Sequence, residues 1–109
     1  MSRFADALAR LAATIEARKG ADPASSYTAQ LLAGGPPLAA KKFGEEAIET
    51  ALAAVQADPH GVAAESADLI YHWLVLLAAC GVDLDAVAAR LEAREGRSGL
   101  EEKASRPKA

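Results

Sequence analysis

Leu69-Ile70-Tyr71-His72-Trp73-Leu74-Val75-Leu76-Leu77-Ala78-Ala79-Cys80-Gly81-Val82 is the longest apolar stretch of the chain. At about 100° per residue its large side chains cover nearly the whole circumference of a helix. His72 interrupts it, and it falls short of the roughly 20 residues that cross a bilayer. It therefore reads as a buried helix, with Gly81 as its left-handed terminator. One short bundle cannot easily surround such a helix. A second copy of the chain can, so the sequence predicts a homodimer with this helix near its centre. The alternative is a helix wrapped by its own three neighbours.

The rest of the chain also favours helix, because alanine dominates and β-branched residues never alternate with polar ones over a strand's length. Phe4, Leu8, Leu11 and Ile15 recur at helical spacing behind a Ser2 cap, and Lys19-Gly20-Ala21-Asp22-Pro23 closes that helix. Ser25-Ser26 caps a short helix through Tyr27, Gln30, Leu31 and Leu32, which Gly34-Gly35-Pro36-Pro37 stops. A second long helix opens at Pro37 or Leu38 and runs to about Ala57, where Asp58-Pro59-His60-Gly61 makes a turn. The apolar stretch belongs to a third long helix, from about Val62 to Cys80, in which Trp73 and Cys80 are expected in the core. Asp83 caps a fourth, which turns Leu84, Val87 and Leu91 inward and ends near Gly96. The expected fold is all-α: a helical bundle of about four main helices, completed by homodimerisation. Residues 1–96 form one domain and 97–109 a basic tail.

At 109 residues there is one core's worth of chain. Hydrophobic residues at 51% and charged residues at 25% place it among globular proteins, away from the disordered class. A net charge of −3 provides no field for nucleic acid or an anionic membrane, so an anionic ligand must be met locally. The single cysteine excludes a disulfide framework and a CxxC or Cys/His metal site. The N-terminus lacks the basic start and apolar run of a signal peptide, and the cytoplasm is the expected compartment.

The chemistry lies in acidic residues. Glu45, Glu46 and Glu49 share a sector about 100° wide on the second long helix. Glu65 and Asp68 point together on the third, with His72 one turn later. Packed antiparallel across the Asp58-Pro59 turn, the two groups face each other and present several hard oxygens to Mg²⁺. A solvated helix face, with Lys41 and Lys42 paired to Glu45 and Glu46, would explain the first group alone. It explains Asp68 less well, since that residue adjoins the most apolar helix, where an unpaired charge is expensive. His72 reads as a hydrogen-bonded residue beside the site, because Mg²⁺ prefers oxygen. No Ser/His/Asp or Cys/His nucleophile arrangement is present.

The segment Lys41-Lys42-Phe43-Gly44-Glu45-Glu46-Ala47-Ile48-Glu49, followed by Glu65-Ser66-Ala67-Asp68-Leu69-Ile70-Tyr71-His72, resembles the metal-binding signature of the all-alpha nucleotide pyrophosphohydrolases, the MazG-like superfamily. Ser26-Tyr27-Thr28, and the tail from Arg94 through Ser98-Gly99-Leu100-Glu101-Glu102-Lys103-Ala104-Ser105-Arg106, narrow the resemblance to the phosphoribosyl-ATP pyrophosphatase family. It covers nearly the whole chain, without departure at the acidic positions. It implies hydrolysis of 1-(5-phosphoribosyl)-ATP to 1-(5-phosphoribosyl)-AMP and pyrophosphate, the second step of histidine biosynthesis. It implies Mg²⁺ held by Glu45, Glu46, Glu49, Glu65 and Asp68, with Glu46 or Glu49 activating the water. Lys42, Tyr27, Thr28, Arg94, Lys103 and Arg106 would meet the substrate. Two rival readings share parts of the pattern: a house-cleaning nucleoside triphosphate pyrophosphohydrolase, and a metal-free helical dimerisation module with a solubilising acidic face.

Overall fold

Ser2 begins the first helix as expected, its hydroxyl oxygen accepting the Ala5 amide at 3.0 Å, and α1 runs Arg3–Ala17. The computed structural model describes residues 2–96 together with Gly99, Lys103, Ala104 and Arg106. Among them every regular element is helical. A 3₁₀ turn, Pro23–Ser25, precedes α2, Tyr27–Ala33; the other helices are α3, Gly35–Val55, α4, Pro59–Cys80, and α5, Leu84–Arg94. Ser26 caps α2 and Asp83 caps α5 through side-chain acceptors, and Gly81 ends α4 at φ 70°.

Two boundaries differ from expectation. Helix α3 opens at Gly35 rather than at Pro37 or Leu38, because both prolines fit its first turn, where an N–H has no partner in the helix. Helix α4 opens at Pro59 rather than Val62. The left-handed residue of the corner is Ala57, at φ 55°, and Asp58 is a helix cap whose Oδ1 accepts the Gly61 amide at 3.0 Å. A Cβ at Gly61 would run into that carboxylate, so glycine belongs there. Lengthened by this turn to 22 residues, α4 meets the length and apolar composition of a membrane span, which the apolar run alone does not.

The dominant packing is the antiparallel α3–α4 hairpin; α1 lies against α4, and α2 touches both members of the hairpin. Ile15, Leu31, Ala39, Leu74 and Val75 form the buried core, with Leu8, Leu11, Leu38, Ile70 and Trp73 packed around it. The core therefore gathers where α1 and α2 cover the hairpin. Helix α4 is not enclosed all round: only His72, Leu74 and Val75 of it are buried. Cys80, expected inside, is exposed at its end. Leu84 and Val87 are half-buried, but Leu91 and Phe4 are 58% and 62% exposed, so both of those apolar seams are longer than the surface they meet.

Ile48, Leu52 and Val55 of α3 stand 63%, 50% and 80% exposed. Their i, i+4, i+7 spacing makes one continuous apolar stripe on the side of α3 away from the core.

Candidate metal centre

The hairpin fixes which residues meet. Glu49 and Glu65 each stand eight residues from Ala57, Glu46 and Asp68 eleven, and Lys42 and His72 fifteen, so in an antiparallel pair of helices each couple sits at one level. The rotation of α3 decides which of its carboxylates turn inward. Ala39 and Ala53 are buried, and at about 100° per residue Glu46 falls within roughly 20° of both, whereas Glu45 lies roughly 100° away.

Glu46, Glu49 and Glu65 accordingly come together, each offering an oxygen within 4.8 Å of the others. Asp68 is exposed at the margin, where its charge acts on Glu46. Glu45 turns out to solvent and pairs with Lys42 at 3.5 Å. Thr50 donates to the Glu46 carbonyl at 2.8 Å, which keeps its hydroxyl within α3.

One oxygen of Glu46 and one of Glu65, the Oε2 atoms, are shut from water without a hydrogen-bond partner. Burial, followed by a carboxyl–carboxyl hydrogen bond with Glu49 and the charges of Glu49 and Glu46, pushes Glu65 from 4.5 up to about 7. Burial and the charge of Glu49 also raise Glu46. Like charges this close, with buried oxygens unpaired, are costly unless a cation answers them. Hard oxygen donors with one face open to solvent fit a divalent metal that keeps part of its shell for water and substrate. The trio thus has the donor set for such an ion.

His72 stands at the inner end of the same stripe. It is 7% exposed, and its Nδ1 is buried without a partner. Burial lowers its pKa most; Asp68 and Glu45 act upward and Lys42 downward. The rings of Tyr27 and Tyr71 meet the imidazole nearly perpendicularly, with centroids at 6.3 and 5.0 Å. Thr28 Oγ1 and the Tyr71 hydroxyl are hydrogen-bonded at 2.5 Å. Tyr71 was outside the sequence-derived set, although its place beside His72 on the acidic helix marked it.

Arg94 is the last residue of α5, and Lys103 and Arg106 are exposed. The remaining tail residues of the resemblance, Ser98, Leu100, Glu101, Glu102 and Ser105, lie outside the described residues. A cavity of about 370 Å³ lies elsewhere, between α1, the end of α4 and the start of α5. Ile15, Leu74, Leu77, Val82 and Leu84 make it mainly apolar, and the acidic trio lies on an open helix-hairpin face instead.

Residues 8–95 match the family model described as phosphoribosyl-ATP pyrophosphohydrolase. A protein of Caulobacter sp. (strain K31) named phosphoribosyl-ATP pyrophosphatase is 66% identical over 98% of this chain and 99% of its own length. Proteins of the same name from Caulobacter vibrioides and Parvibaculum lavamentivorans are 68% and 61% identical, over 95% and 97% of this chain and 96% and 97% of theirs.

Proposed function

Because this chain belongs to the phosphoribosyl-ATP pyrophosphohydrolase family, we propose that its acidic trio is the centre at which 1-(5-phosphoribosyl)-ATP is hydrolysed to 1-(5-phosphoribosyl)-AMP and pyrophosphate, the second step of histidine biosynthesis. The observation that carries this reading is the meeting of Glu46, Glu49 and Glu65 within 4.8 Å, with two buried oxygens left unpaired. A dimerisation module has no use for a cluster that opposes its own folding.

Glu46, Glu49 and Glu65, with Asp68 at the margin, are the residues to hold Mg²⁺, whereas Glu45, turned to solvent and paired with Lys42, is not one of them. The ion, when bound, withdraws charge from the phosphoryl oxygens and favours pyrophosphate as leaving group. Glu49, the exposed member of the trio, is placed to orient the attacking water toward the α phosphorus, and Glu46 is the other candidate for that role. Lys42, one helical turn from Glu46 on α3, brings a positive charge beside the trio for the polyphosphate. Arg94, Lys103 and Arg106 supply the cations for the remaining phosphate of the substrate.

Mg²⁺-dependent turnover of phosphoribosyl-ATP should release pyrophosphate in equal amount with phosphoribosyl-AMP, followed by phosphorus NMR. Orthophosphate as first product would reject the reading. Equal rates on free nucleoside triphosphates would favour the house-cleaning activity instead.

The working unit is a homodimer in which a second copy covers the Ile48, Leu52 and Val55 stripe. Light scattering at micromolar concentration should give twice the chain mass, and Leu52→Asp should shift it to the monomer. A monomer mass for the wild type would exclude this assembly.

A further inference from the structure

Ser26 caps α2, so Tyr27 and Thr28 are its first two residues, and both are fastened to α4. Thr28 shares its hydroxyl with Tyr71. The Tyr27 ring rests against His72 at an interplanar angle of 88°, and Tyr71 holds the imidazole from another side at 76°. The result is a corner with a rigid inner wall. Its outer member is open, since Tyr27 is 53% exposed.

This corner lies one helical turn beyond the level of Glu46 and Asp68 on the hairpin. His72 follows Asp68 by one turn, about 6 Å along the helix axis, and the charges of Asp68, Lys42 and Glu45 reach its ring. The imidazole Nδ1 is buried without a hydrogen-bond partner. Burying an unpartnered polar atom opposes folding, and such atoms in native chains call for a functional or structural reason. In a nucleotide the α phosphate and the base are separated by one ribose, a reach comparable with the turn between Asp68 and His72. A nucleotide laid along α4 with its α phosphate at the level of Glu46 and Asp68 would set its base at the level of His72 and its neighbour Tyr27.

We propose that Tyr27, backed by His72, is the platform on which the purine base of the substrate stacks, and that Thr28 and Tyr71 position this platform rather than touch the substrate. The inference rests on the hydrolysis of phosphoribosyl-ATP set out above. A tyrosine suits the task, because its ring offers a broad apolar face at small conformational cost and stacks on any base. The fixed edge contact with His72 removes the rotamer freedom that binding would otherwise have to restrain.

The test is calorimetric titration of the Mg²⁺-loaded protein with AMP and, separately, with inorganic pyrophosphate. Tyr27→Ala, a change at an exposed position, should weaken AMP roughly tenfold and leave pyrophosphate unchanged, whereas Tyr27→Phe should keep both affinities. In turnover, Tyr27→Ala should raise KM for phosphoribosyl-ATP by a similar factor, with kcat carrying less of the loss. Equal weakening of AMP and pyrophosphate would make Tyr27 a general structural support and overturn the platform. So would unaltered AMP affinity, or a change in oligomer mass that marked Tyr27 as a subunit contact. In each of those cases wild-type turnover of phosphoribosyl-ATP stands. A wild type that neither binds AMP nor releases pyrophosphate would overturn both proposals.

Discussion

Glu65→Gln and Glu49→Gln are expected to lose turnover by roughly a hundredfold or more, yet to melt no lower than the wild type in EDTA. Loss of a group that merely orients a metal ligand costs about 10–100-fold, and these two residues supply ligand oxygens themselves in the proposed centre. Glutamine keeps the size and one oxygen but removes the charge that a divalent ion requires. The same charge is a burden when no ion is present. Glu46, Glu49 and Glu65 crowd within 4.8 Å, and burial, followed by the nearness and charge of Glu49 and Glu46, pushes the carboxyl of Glu65 up to about 7. Replacing one carboxylate removes repulsion and gives an amide that can hydrogen-bond to the others. Function and metal-free stability should therefore move in opposite directions at this site. Thermal melts in EDTA beside pyrophosphate-release assays decide it. Variants that melted several degrees below the wild type would make these glutamates structural, and full activity would remove them from the site.

Much of this was legible in the sequence because the relevant rules are local. Ser2, Ser26, Asp83 and Gly81 punctuate the helices through caps formed within a few residues, and all four act as read. The acidic groups were visible for the same reason, since helical spacing alone puts Glu65 beside Asp68. What spacing does not supply is the rotation of one helix about its axis relative to another. Glu45, Glu46 and Glu49 share a sector, but the burial of Ala39 and Ala53 turns Glu46 inward and leaves Glu45 to Lys42. The corner at Ala57 is ambiguous in sequence because Asp58-Pro59 has two uses, a turn and a capped helix start, and the amide of Gly61, donating to Asp58, makes it the second. Leu91 and Cys80 fit the apolar pattern of their helices yet are exposed, because a pattern states what a helix can bury without stating what is there to cover it.

Metal and pH should then act on stability through the same three carboxylates. In the metal-free chain Glu65 binds its proton more tightly folded than unfolded, at about 7 against 4.5. The folded state is therefore favoured most below the unfolded value, and that advantage is lost as pH rises through 7. Glu46 is shifted in the same direction. In EDTA the melting temperature should fall between pH 5 and pH 8. A divalent ion reverses the trend, since it competes with protons for the same oxygens and binds only the folded arrangement. At pH 8, Mg²⁺ at about a hundred times its dissociation constant adds about 2.7 kcal/mol, which for a domain of this size is on the order of 10 °C or more. At pH 5 the gain should be much smaller, because the ion must first displace the proton that Glu65 holds. Melting curves over pH 5–8, with EDTA and with millimolar Mg²⁺, should therefore diverge toward alkaline pH. Curves that ran parallel would mean that proton and metal do not share a site, and Glu46, Glu49 and Glu65 would lose their role as the ion's ligands.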